Sequence, residues 1–141
     1  MTSDILAPMC AYIAWLFLLW CLLGGVRGWA WLHGVMPAEY FRVGEGLRPS
    51  DKIVDVHHHF SNQFEIPVLF YLGCLTVIAA NSVDGASVIL AWSFVVLRII
   101  HTAVVVIRND PRIRVWPYVL STFAVWGIWA NVFRNAVWSA G

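Results

Sequence analysis

The residues best placed for chemistry lie where lipid would make them costly. In VDVHHHFSNQFEIPVLFYL, Val54 to Leu72, a helix starting near Asp55 carries His58, Asn62 and Glu65 at i, i+4 and i+7, as one polar stripe. A second stripe follows in AWSFVVLRIIHT, where Arg98 and His101 stand at i and i+3. An amide, a carboxylate, a guanidinium and two imidazoles can hold a polar, charged ligand, or they can pair with one another. An isolated ionised side chain at membrane depth costs a few kcal/mol on insertion scales, so Glu65 and Arg98 are expected to pair across two adjacent helices. That pair is either polar glue that fixes helix packing or the wall of a polar ligand pocket. The pocket is the stronger reading, because ionisable groups inside a membrane are by default functional candidates.

The run His57-His58-His59 does not make a metal site by itself. Consecutive residues on a helix diverge by about 100°, so a metal would need one or two of these imidazoles joined by Asp55, Glu65 or His101. The spacing shows neither a histidine box nor a His-Glu-x-x-His pattern, and no metal is expected. Cys10, Cys21 and Cys74 fall within apolar stretches and read as small buried hydrophobes, not as a disulfide frame.

The elements that must position these groups are membrane helices. The chain has 141 residues, 60% of them hydrophobic and 12% charged, with nine tryptophans, and its mean hydropathy is +0.73. A soluble domain of this size does not have that composition. A net charge of +1 with no Lys/Arg cluster argues against nucleic acid as a partner.

Four apolar segments are long enough to span, or nearly so: Ile5 to Val26, Phe64 to Ala80, Ser87 to Ile107, and Pro117 to Trp138. The second reaches full length if its helix begins at His58, and Pro117 suits the first turn of the fourth. The first is uncharged over its whole length and is preceded by Asp4 and no basic residue, so it reads as a span and not as a signal peptide. The expected fold is all-α, a single four-helix transmembrane bundle over residues 1–141, with helices near 5–26, 58–80, 87–107 and 117–138.

Residues 27–57 form a long connection with Arg27, Arg42, Arg48 and Lys52, expected to be an ordered loop on the cytoplasmic side. The third connection carries Arg108, Arg112 and Arg114, and the second carries only Asp84, which puts both termini on the non-cytoplasmic side. In FAVWGIWANVF, residues Phe123, Trp126, Trp129 or Ala130, and Phe133 recur at roughly helical spacing and make an aromatic stripe. It faces lipid, a neighbouring subunit or another membrane partner.

NQFEIPVLFYL followed by AWSFVVLRIIHT resembles the MAPEG family, the membrane-associated proteins in eicosanoid and glutathione metabolism, and in particular its small bacterial members. The family pattern is Arg-x-x-x-Asn-x-x-Glu at the start of helix two and Arg-x-x-His on helix three. Asn62, Glu65, Arg98 and His101 carry it. The resemblance implies a homotrimer of four-helix subunits in a bacterial inner membrane, with glutathione bound between neighbouring subunits near the cytoplasmic face. It implies that Asn62 and Glu65 hold the peptide-like cofactor with His58, Arg98 and His101 around it, and that Arg114 is the catalytic arginine beside the thiol.

A guanidinium there stabilises thiolate, which could attack an apolar electrophile arriving from the membrane lipid. His58 stands where the family has arginine, and Val105 stands where it has a tyrosine on helix three. A glutathione-dependent transferase or peroxidase acting on lipophilic small molecules is one function that follows. The alternative is a non-enzymatic membrane subunit that binds lipid, a quinone or a larger membrane complex through its aromatic helix faces.

Overall fold

The computed structural model describes residues 2–34, 66–108 and 110–138, which are helical apart from short turns and contain no strand. The helices are α1 (Thr2–Leu32), α2 (Ile66–Ala79), α3 (Gly85–Ile107) and α4 (Pro111–Trp138). α1 and α3 are long and apolar enough to cross a membrane. At 31 residues α1 is about 46 Å long by its 1.5 Å rise, so it outruns a hydrocarbon core of about 30 Å.

Two boundaries differ from the sequence expectation. α1 does not stop at Val26 but continues to Leu32, taking the first part of the expected 27–57 loop. Nothing in RGWAWL breaks a helix, and the stop comes at Gly34, which adopts the left-handed φ of 67° that a helix C-terminus commonly uses. α4 begins at Pro111 instead of Pro117. Asp110 precedes it, its carboxylate accepting from the Arg112 amide at 2.9 Å, and a proline at the first helical position gives up only an amide that has no partner there anyway. The expected start of the second helix at His58, and residues 35–57 of the expected loop, lie outside the described residues.

The α2–α3 turn is locally specified at both ends. Asn81 takes a φ of 50°, the Asn81 amide donates to Ile78 and the Ser82 amide to Val77, each at 3.0 Å, which closes α2 as a Schellman motif. Asp84 then caps α3 by accepting from the Ser87 amide at 2.8 Å. So short a link makes α2 and α3 antiparallel neighbours.

The core is aromatic at its centre. Tyr12, Phe70 and Phe94, one from each of the first three helices, are all fully buried. Phe70 and Phe94 stack with centroids 4.2 Å apart, and Tyr12 meets Phe94 edge-on at 5.1 Å. Ala124, Val125 and Ile128 bring α4 into the same cluster. Small residues allow the helices to approach: Gly73 faces Ile128 and Trp129, and Gly127 faces Leu90.

Two donors that lipid could not satisfy find backbone carbonyls. The Tyr71 hydroxyl donates to Met9 at 3.3 Å, and the Trp129 indole to Leu69 at 3.1 Å. Phe17 and Trp20 on α1, Ile89 and Val106 on α3, and Phe123 and Trp126 on α4 are exposed, so the outer surface is apolar as well.

Candidate functional site

α3 and α4 lie antiparallel, and their register decides what meets Arg98 and His101. Leu90 faces Gly127 near one end, and His101 faces Arg114 near the other. Arg98 and His101, nearly one turn apart, therefore point into the α3–α4 seam, where Arg98 is wholly buried and His101 is 5% exposed. The Arg98 guanidinium carbon lies 5.1 Å from the centre of the Tyr118 ring and 5.5 Å from that of Phe94. Both lie within cation–π range, which desolvation strengthens.

His101 Nδ1 donates to the backbone carbonyl of Arg114 at 2.8 Å, since a carbonyl can only accept. That bond places a hydrogen on Nδ1, so Nε2 is an acceptor when the ring is neutral and a second donor when it is protonated. The His101 ring also lies 5.7 Å from the Tyr118 ring. Pro117 weakens this turn of α4, because it has no amide for the Ile113 carbonyl to accept. Thr102 donates to the Arg98 carbonyl at 3.0 Å within α3.

Of the residues singled out in sequence, Arg98, His101 and Arg114 meet here, Arg114 through its main chain. His58, Asn62 and Glu65 lie outside the described residues, and so does the expected Glu65 to Arg98 pair. Tyr118 was not singled out, although it stands at i+4 from Arg114 and so shares its side of α4. Val105, which has no phenol to offer, is buried on α3, whereas Tyr118 brings one to the neighbourhood of Arg98 and His101. Among the described residues no three His, Cys, Asp or Glu side chains gather as a metal site, and the three cysteines are unbridged.

A second polar cluster sits at the other end of the same helix pair, and the sequence reading did not anticipate it. The Asn131 amide donates to Asp84 at 2.8 Å and to the hydroxyl of fully buried Ser87 at 2.7 Å. Arg134 donates to the other Asp84 oxygen at 3.3 Å and also bonds the Asn131 side-chain oxygen. Partial burial pulls the Asp84 carboxyl upward, but the Ser87 and Asn131 hydrogen bonds and the Arg134 charge outweigh it, leaving the carboxyl below its usual range.

The family model of the MAPEG family matches residues 5–134, nearly the whole chain. The chain belongs to the MAPEG family. No curated protein and no solved structure matches it. For this MAPEG chain, membership together with the two apolar helices α1 and α3 supports a membrane protein of a family associated with glutathione and eicosanoid metabolism.

Proposed function

We propose that this MAPEG chain binds glutathione, or a closely related anionic thiol, at the α3–α4 end that holds Arg98, His101 and Arg114. The observation that supports this most is Arg98, a guanidinium with no solvent exposure set between the Phe94 and Tyr118 rings and beside a histidine. A buried cation of this kind suits a ligand with carboxylates and an ionisable thiol. Glutathione, when bound, supplies a nucleophilic sulfur.

Each residue then has a definite task. Asn62 offers a donor and an acceptor for a peptide backbone, Glu65 suits an ammonium group, and His58 donates to a carboxylate when protonated. Arg98 supplies fixed positive charge, and His101 holds the first turns of α4 by their main chain. Arg114 is the catalytic arginine, its charge favouring thiolate over thiol, and the apolar exterior admits a lipophilic electrophile from the bilayer. The reaction is a glutathione transfer or a peroxide reduction. The chain works as a homotrimer in a bacterial inner membrane, with the site between subunits on the cytoplasmic side and both termini on the opposite side.

The test is calorimetric titration of the purified protein with glutathione between about pH 5.5 and 8, a range that brackets the histidine pKa of about 6.5. Saturable binding is expected, tighter toward the acid end. No binding at millimolar ligand anywhere in that range would overturn the proposal and leave the reading as a non-enzymatic membrane subunit. A monomeric mass in mild detergent would remove the trimer and the inter-subunit site with it.

A further inference from the structure

The outward face of α4 carries a pattern that thiol chemistry does not use. Arg112, Trp116, Leu120 and Phe123 follow one another at helical spacing, and all four are exposed. From Arg112 to Phe123 the helix rises about 16 Å, roughly half of a 30 Å hydrocarbon core. A guanidinium, then an indole, then an aliphatic and an aromatic side chain repeat the order met on passing from headgroup to acyl chain within one leaflet. Arg108, exposed at the C-cap of α3, adds a second guanidinium at the same end.

Among the described residues, no carboxylate pairs with the Arg108 and Arg112 guanidinium groups at this end. Asp110 lies between the two arginines, but its Oδ1 accepts from the Arg112 backbone amide, and among the described residues neither guanidinium meets a carboxylate. The opposite end of α4 differs, because Arg134 there is matched by Asp84 at 3.3 Å. Among the described residues, this end of the helix therefore combines arginines that meet no carboxylate with an exposed tryptophan, and charge complementarity selects a negatively charged headgroup.

We propose that Arg108, Arg112 and Trp116 form a binding surface for the headgroup of an anionic phospholipid whose acyl chain lies along Leu120 and Phe123. This surface is separate from the buried Arg98 seam, so a chain that binds no glutathione would still show it.

The experiment reconstitutes the full chain in nanodiscs of phosphatidylcholine with a minority of phosphatidylglycerol and counts retained lipids by native mass spectrometry. The wild-type protein is expected to retain phosphatidylglycerol preferentially. Because each arginine near an anionic surface is worth about fivefold, Arg108→Gln with Arg112→Gln should reduce that preference by more than an order of magnitude. Arg134→Gln, which removes the same charge at the matched end, should leave it within about twofold.

Circular dichroism confirms that the variants remain folded. A photoreactive side chain placed at Leu120 should capture lipid. An undiminished preference in the double variant, an equal loss in Arg134→Gln, or capture of a second copy of the chain at Leu120 would each overturn the proposal.

Discussion

The two ends of the α3–α4 pair use different polar groups. At the Asp84 end the groups satisfy one another: Asp84 caps α3, takes a hydrogen bond from Asn131 and an ion pair from Arg134, while Asn131 also bonds Ser87. At the Arg98 end the described residues bring a buried guanidinium and an imidazole together with the Phe94 and Tyr118 rings and the Arg114 main chain. A cluster whose members answer each other's hydrogen bonds serves packing, since buried polar groups cost least when they are paired. A seam that buries a guanidinium and an imidazole among aromatic rings is the place proposed above for an anionic ligand. Damage at the first end should therefore appear as lost stability, and at the second as lost binding.

The sharpest way to break this division is Arg114→Ala. Removing the charge proposed to stabilise thiolate should lower glutathione-dependent turnover on the order of 100-fold, while stability changes by no more than about 1 kcal/mol. Steady-state kinetics with a generic electrophile and thermal unfolding in detergent read the two quantities side by side.

Asp84→Ala should do the reverse. It removes an N-cap, worth about 1 kcal/mol, and deprives the buried Asn131 amide of one acceptor at a similar cost, so a loss of about 2 kcal/mol is expected with glutathione affinity unchanged. If affinity fell as far as in Arg114→Ala, the two ends would not be separate in function.

His58→Arg tests the proposed ligand site. An imidazole donates to an anion best when protonated, so binding by the natural chain should weaken as pH rises past about 6.5. The permanent charge of arginine should tighten binding roughly fivefold at pH 7.5 and flatten that dependence, as measured by calorimetry across the pH range.

The smallest effect belongs to acid at the Asp84 end. Its carboxyl titrates lower in the folded state than in the unfolded chain, so its stabilisation is fully present above the unfolded pKa of about 3.9 and is lost as pH falls through the folded value. Asp84→Asn should remove that acid-side slope and leave the melting temperature nearly constant with pH above about 5. A slope that survives the substitution would place the titrating group elsewhere.

Much of the helical layout was legible in the sequence because hydropathy and helical period are local properties. The apolar runs locate α1, α3 and most of α4, and the Asn81 to Asp84 turn separates α2 from α3. Boundaries were less legible, since Pro117 signals a helix start as plausibly as Pro111 does. What favours Pro111 is the Asp110 bond to the Arg112 amide, an interaction that depends on the folded backbone.

The aromatic stripe on α4 shows a similar limit. Spacing left Trp129 and Ala130 equivalent, and the structure turns Trp129 inward to donate to Leu69 while Ala130 remains outside. At the site, Arg98 and His101 stood out because ionisable groups in apolar helices are rare, and Arg114 stood out through the family resemblance alone. Tyr118 did not, because a tyrosine near a helix end has an ordinary explanation as an interfacial anchor.

By itself the sequence determined that this chain is built of apolar helices, that it carries the MAPEG pattern, and that His101 follows Arg98 on one face of α3. Those features depend on residues within a few turns of each other. Only the tertiary structure decided that Tyr118 covers Arg98, that His101 bonds the Arg114 carbonyl, and that Asn131 and Arg134 answer Asp84. Such pairings depend on the register in which α4 lies against α3. That register is set by packing along the whole seam, including the close approach of Leu90 to Gly127, and no short stretch of either helix encodes it.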